Sequence, residues 1–117
     1  MKYLFIEYPK CSTCIKAKKF LEENKVDFED RHIVENNPTE EELKTWIKKY
    51  NLEIKKLFNT SGLMYKDLKL KDKLPQMLDD EKIKLLASDG MLVKRPILLC
   101  DDFFINGFNE DKWKEKI

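Results

Sequence analysis

No stretch of the sequence approaches the roughly 18 consecutive apolar residues that a membrane-spanning helix needs. Only a short apolar run, Tyr3-Leu4-Phe5-Ile6, precedes Glu7, far less than a secretory signal core. A membrane span and export are therefore not expected, and the cytoplasm is. A charge bias is missing as well. Charged residues make up 38% of the chain, yet the formal net charge is +1. That near-balance gives no reason to expect nucleic acid, a membrane surface or an acidic ligand as partner. Cysteine is sparse and odd in number (Cys11, Cys14 and Cys100), unlike a secreted disulfide framework. Histidine occurs once, at His32, and only two of the 23 basic residues are arginines, Arg31 and Arg95. There is no internal repeat, linker or low-complexity tract. What remains is a 117-residue chain, long enough for one domain with a hydrophobic core of its own.

The hydrophobic pattern alternates between strand and helix. Residues 2–7 read as a strand apolar enough to be buried on both faces. Ser12 to Asn24 reads as a helix with Ile15, Phe20 and Leu21 inward and Asn24 as a left-handed stop. Residues 26–34 read as a second strand, parallel to the first because a helix intervenes. Thr39 and Glu42 fit a capping box, and Leu43, Trp46, Ile47 and Tyr50 follow as one apolar stripe. Leu52–Phe58 reads as a short helix ending at the turn Asn59-Thr60-Ser61-Gly62. Residues 63–88 read as helical with a break at Pro75, Asp79 or Asp80 capping the last segment and Gly90 ending it in the left-handed region. Pro96–Cys100 and Phe103–Ile105 flank Asp101-Asp102 as a β-hairpin. Asn106-Gly107 makes a further turn, and Asn109 caps a final helix carrying Trp113 and Ile117. The predicted fold class is α/β, with a mixed four-stranded sheet.

The chemistry concentrates at Tyr8-Pro9-Lys10-Cys11-Ser12-Thr13-Cys14, between the first strand and the first helix. A thiol at a helix N-terminus meets free N–H groups and the positive end of the macrodipole, which favour its thiolate, the reactive form. Lys10 adds a local cation. Cys14 lies one turn into the helix on the same side, so Cys11 can act as nucleophile and Cys14 as the resolving thiol. A CxxC between a first strand and a first helix carries more weight than the motif alone. A zinc site would need two further ligands, and His32 and Cys100 do not stand in a paired spacing. His32 reads as a strand residue and Cys100 as an inert core thiol.

From Cys11 and Cys14 to Lys94-Arg95-Pro96 at the entry of the third strand, the order of elements resembles the thioredoxin-like fold. More narrowly, the chain resembles the glutathione-dependent arsenate reductase family with its Spx relatives, in particular the uncharacterised arsenate-reductase-like branch with a CxxC. The resemblance runs end to end. It includes Phe58-Asn59-Thr60-Ser61-Gly62, Tyr65, the stretch from Leu85 to Leu92, Lys94-Arg95-Pro96-Ile97 and Gly107-Phe108. It implies a single thioredoxin-like domain over 1–117, helices on both faces of the sheet and a helical insertion at about 39–90. It also implies that Pro96 is a cis-proline facing the reactive thiol, and that Arg95 points at Cys11, where a guanidinium holds a thiolate or an oxyanion. Lys10, Ser12, Thr13, Asn59, Thr60, Ser61 and Pro96 are then the positions expected to contact substrate, with Cys11, Cys14 and Arg95 catalytic.

One departure narrows the chemistry. Arsenate reductases of the family hold their oxyanion with three arginines, of which only Arg95 has a counterpart here. Asn59-Thr60-Ser61-Gly62 occupies the region of the second, and none stands near Gly107-Phe108-Asn109. Two missing charge-assisted hydrogen bonds, each worth about 1–3 kcal/mol, weaken anion capture and argue against arsenate as physiological substrate. The sequence thus reads as a monomeric thiol–disulfide oxidoreductase with no bound metal or organic cofactor, reduced by glutathione or a thioredoxin-like protein. The alternatives are an Spx-like redox-switched regulator that binds RNA polymerase, or a true arsenate reductase. No DNA-reading helix or basic stripe points to direct contact with nucleic acid.

Overall fold

Alternation of strand and helix patterns is what the computed structural model shows; it describes residues 2–117. In chain order the elements are β1 (Tyr3–Glu7), α1 (Ser12–Glu23), β2 (Phe28–His32), α2 (Glu40–Tyr50), α3 (Leu63–Asp67), α4 (Leu70–Lys73), α5 (Asp79–Ser88), β3 (Ile97–Leu99), β4 (Phe104–Asn106) and α6 (Glu110–Lys116). Short 3-10 turns cover Ile54–Leu57, Leu74–Gln76 and Gly90–Leu92. The backbone falls into two compact units, one formed by the segment up to His32 together with Arg95–Ile117, the other by Ile33–Lys94.

The first unit holds the whole sheet, in the order β2-β1-β3-β4. β1 and β2 run parallel with Tyr3 opposite Phe28 and Glu7 opposite His32, while β3 pairs antiparallel with both β1 and β4. The sheet is therefore mixed, and the fold is α/β. Its core joins Phe5 and Leu98 of the sheet to Ala17, Phe20 and Leu21 of α1 and Trp113 of α6. Each large apolar side chain buried there contributes about 1.5–3 kcal/mol. Trp113 packs edge-on against Phe108 and Phe5, with centroids 5.1 and 6.3 Å away. Its indole N–H donates to the Gly107 carbonyl at 2.9 Å, so its one polar atom is satisfied. Gly107 sits at φ 69, the left-handed turn expected of Asn106-Gly107. The hairpin closes around Asp101-Asp102, where Cys100 N–H donates to the Phe103 carbonyl at 3.0 Å.

The second unit opens with the capping box of α2. Thr39 Oγ1 accepts from Glu42 N–H and Glu42 Oε1 accepts from Thr39 N–H, both at 3.1 Å. Leu43 and Trp46 are buried, and Ile47 and Tyr50 are half-buried on the same stripe. The segments on either side of the long helical stretch are tied by an antiparallel bridge of Phe58 with Val93. Lys94 N–H to Leu57 O and Asn59 N–H to Leu92 O, both 2.8 Å, extend that tie.

Several local expectations are corrected. Ile15 is 55% exposed; Cys14, Ala17, Phe20 and Leu21, at i, i+3, i+6 and i+7, form the buried stripe, with small Ala17 in the place expected of Ile15. Asn24 is the C-cap of α1 but keeps a negative φ, and Lys25 takes the left-handed residue at φ 56. α5 begins at Asp79 with Leu78 as N-cap; Glu81 Oε1 accepts from Leu78 N–H at 2.8 Å, half a capping box with no side-chain acceptor at the cap. Gly90 does not have a positive φ. A Cβ at Gly90 would collide with the Ile33 carbonyl, so close backbone approach is what requires glycine there. Leu52–Phe58 contains a 3-10 turn rather than an α-helix, β2 is shorter than 26–34, and the hairpin strands span Ile97–Leu99 and Phe104–Asn106.

Candidate active site

α1 starts on a sulfur. Cys11 adopts extended backbone angles (φ −86, ψ 120) as the N-cap. Its Sγ accepts from the Cys14 backbone N–H at 3.4 Å. Cys11 N–H donates to Tyr8 O at 2.9 Å, so the Tyr8-Pro9-Lys10 turn delivers the thiol to the helix end. Cys11 is part-exposed, while Cys14, at N3 in the first turn, is fully buried. Lys10, Ser12 and Thr13 are exposed around them.

The two thiols are driven in opposite directions. Burial pushes the Cys11 pKa up, but hydrogen bonds from the Cys14 thiol and amide, the Arg95 charge and the Thr13 amide outweigh it, and the net shift is downward. Cys14 is pushed up to about 12, by burial first and by the neighbouring Cys11, with the Tyr8 backbone hydrogen bond opposing. The shifts run apart: the surroundings of Cys11 favour its thiolate, and those of Cys14 favour its thiol.

Arg95 enters from the other end of the unit, where the Arg95–Pro96 peptide bond is cis. Its guanidinium lies 5.4 Å from the centroid of the Tyr8 ring, a cation–π stack that fixes its position beside the thiol turn. The Tyr8 ring in turn meets His32 edge-on at 5.7 Å. The structure therefore brings together Cys11, Cys14 and Arg95, with Pro96 buried next to Arg95. Asn59, Thr60 and Ser61 belong to the second unit. They form a turn in which Ser61 Oγ donates to Asn59 Oδ1 at 3.3 Å and Gly62 N–H donates to Asn59 O at 3.1 Å. Cys100 is buried beside the hairpin turn. Among the described residues no group of three or more His, Cys, Asp or Glu is placed to hold a metal ion, and no helix is long and apolar enough to cross a membrane.

Sequence reasoning passed over Tyr8 and Glu7. Tyr8 was visible only as part of the motif; its role in seating Arg95 depends on a contact across 87 residues of sequence. Glu7 carried a signal: a charged residue ending an apolar strand, on the same face as buried Phe5.

A β2-β1-β3-β4 sheet whose first helix is capped by a CxxC thiol, with a cis-proline at the entry of β3, defines a thioredoxin-like dithiol protein. The ArsC family model matches residues 6–116, and the chain belongs to that family. It is 50% identical to the uncharacterised protein YusI of Bacillus subtilis (strain 168) over 98% of each chain. It is also 31% identical to the regulatory protein MgsR of the same organism, covering 90% of this chain and 82% of MgsR. An ArsC family related protein from Bacteroides fragilis, solved by crystallography, superposes with a TM-score of 0.92 at 53% identity, covering 98% of this chain and 97% of that one.

Proposed function

We propose that the protein is a cytoplasmic thiol–disulfide oxidoreductase in which Cys11 attacks and Cys14 resolves. The observation that carries this reading is the asymmetry of the pair: Cys11 caps α1 with its pKa lowered, and Cys14 is buried behind it with its pKa pushed up to about 12. In the first step the Cys11 thiolate attacks one sulfur of a disulfide. The substrate S–S bond breaks and one half leaves as a thiolate. In the second step Cys14 attacks Cys11 Sγ, closing the protein disulfide and releasing the other half reduced. Glutathione or a thioredoxin-like protein then returns two electrons to the pair. Arg95 holds the Cys11 thiolate, Lys10, Ser12 and Thr13 are exposed next to Cys11 in the chain, and Pro96 is the residue that the family resemblance sets facing the sulfur. Arsenate reduction is disfavoured by the absence of arginines other than Arg95 at the anion-holding positions.

Cys14→Ser is expected to accumulate a mixed disulfide with its substrate, read by mass spectrometry of thiol-blocked lysate, whereas Cys11→Ser captures nothing. Equal capture by both variants would reverse or remove the assigned roles. A second reading, a redox-switched regulator, is favoured by the 31% identity to the regulatory protein MgsR; RNA polymerase is the partner that the Spx resemblance implies. That reading calls for polymerase retention that differs between dithiol and disulfide forms, with negligible turnover of disulfide substrates.

A further inference from the structure

β1 and β3 pair antiparallel, with Leu4, Phe5 and Ile6 opposite Leu99, Leu98 and Ile97. Continued two residues past the last pair, that register sets Tyr8 across from Arg95, and the guanidinium lies 5.4 Å from the centroid of the Tyr8 ring. The ring is itself held. His32 meets it edge-on at 5.7 Å and 87°, and β2 fixes His32 by pairing it with Glu7. Glu7 is 5% exposed, so the strand end that carries Tyr8 is locked into the interior. The Tyr8 main chain is tied down as well. Its carbonyl accepts from Cys11 N–H at 2.9 Å, and its backbone hydrogen-bonds the Cys14 sulfur. One residue thus meets all three groups of the site, the two cysteines through its main chain and Arg95 through its ring.

Why a ring holds Arg95 follows from what Cys11 needs. Burial raises the Cys11 pKa, and the Cys14 hydrogen bonds and then the Arg95 charge lower it. A carboxylate partner would also hold Arg95, but at Cys11 it would cancel the charge that it positions. An aromatic face holds a guanidinium through its quadrupole and adds no net charge. The thiolate cannot do this work alone. Cys11 is charged before it attacks a disulfide, and neutral in the mixed disulfide and in the Cys11–Cys14 disulfide. A guanidinium held by that charge alone would be released at every oxidation and ordered again at every reduction, against the rotamer freedom of a long side chain. A cation kept in place throughout needs no such reorganisation when the thiolate returns.

We propose that Tyr8 is a positioning residue for Cys11: its ring is a charge-free anchor that keeps the Arg95 guanidinium at the thiol in the dithiol, mixed-disulfide and disulfide states alike. An aromatic ring at position 8 is then a requirement of reactivity, acting through Arg95 and not through the sulfur itself.

The proposal rests on the oxidoreductase reading, and one set of titrations separates the two. Iodoacetamide alkylation is followed against pH and read on the Cys11 peptide by mass spectrometry, so that Cys14 and Cys100 do not contribute. The parent should titrate below about 8.5, the value of an ordinary thiol. In Tyr8→Leu the titration should move upward and the rate at pH 6 fall by about threefold, the scale of losing a part-exposed cation–π stack. Near pH 10, where the thiolate is fully formed in both, the rates should agree within about twofold. A merely structural loss would shift them at both ends. Tyr8→Phe keeps the ring and should restore the parental titration. In an Arg95→Ala background, Tyr8→Leu should change nothing further, because the ring acts through the guanidinium. A second measurement needs no variant: the Arg95 methylene protons of the parent should carry a ring-current shift in NMR spectra of both the dithiol and the disulfide form. A parental titration in Tyr8→Leu, a Tyr8→Phe that behaves like Tyr8→Leu, or a further loss in the Arg95→Ala background overturns the proposal. So does a ring-current shift that is absent, or present in the dithiol form alone. A parent whose Cys11 titrates near 8.5 removes the oxidoreductase reading itself, and the proposal with it.

Discussion

The starts of α1 and α2 meet the same difficulty, four backbone amides with no partner inside the helix, and answer it with different chemistry. At α2 the reciprocal box of Thr39 and Glu42 occupies two donors at 3.1 Å, and Glu40, Glu41 and Glu42 set negative charge against the macrodipole. At α1 the cap is the Cys11 sulfur at 3.4 Å, and the first turn carries no acidic residue. The positive end of α2 is neutralised by carboxylates; that of α1 is left to whatever charge Cys11 takes. One helix start is built for stability and the other for a thiolate, so stability and reactivity should respond in opposite senses when features are exchanged.

The largest effect is expected from Cys11→Ser. Disulfide turnover should fall to background, while the melting temperature holds or rises, because Ser is among the preferred N-caps and Cys is not. Activity loss accompanied by a collapse in melting temperature would mean that the sulfur is structural. Next comes Thr13→Glu, which brings an α2-like charge into the first turn of α1. The added carboxylate should raise the Cys11 pKa toward that of an ordinary thiol. Iodoacetamide alkylation at pH 6 should then slow by about tenfold, the scale of a charge pair a few ångströms apart near the surface. The sign follows from the lowered folded-state pKa of Cys11: its thiolate persists to lower pH than a free thiol's and is lost as pH falls through that value. An unchanged alkylation profile would remove electrostatics from the account of Cys11. Thr39→Ala comes third, with a loss of about 1 kcal/mol in urea unfolding and no change in Cys11 alkylation.

The contrast between the two helix starts was legible in the sequence, since Thr39-Glu40-Glu41-Glu42 and Cys11-Ser12-Thr13-Cys14 are local patterns whose donors and acceptors lie within one turn. The same locality made the β-α-β order, the hairpin at Asp101-Asp102 and the caps at Thr39 and Asn109 readable. What failed was decided at a distance. Gly90 looked like a left-handed stop because nothing local discloses the Ile33 carbonyl against which it packs. Ile15 looked like a core residue because hydropathy outweighed Ala17, whose burial depends on what the sheet presents to α1. At the candidate site the thiols and Arg95 were found through motif and family resemblance. The Tyr8 ring that seats Arg95 and the buried Glu7 carboxylate appear only once β1, β2 and the segment at Arg95 are assembled.

The smallest effect tests whether the two helix ends differ by charge alone. Glu41 is exposed in the first turn of α2 and its side chain is not part of the capping box. Glu41→Gln keeps size and helix propensity close to constant while removing one charge from the dipole's positive end. Stability should fall by about 0.3–1 kcal/mol at low ionic strength. The loss should vanish near about 0.5 M salt, where the screening length drops below the distances involved. Thr13→Glu adds the same charge at the matching place in α1 and should gain stability by a similar amount with the same salt dependence. Paired urea titrations of the two variants at low and high salt therefore make mirror-image shifts the expected result. Shifts of equal sign would show that α1 does not present an open positive end, and the thiolate at Cys11 would then have to be held by Arg95 and local hydrogen bonds.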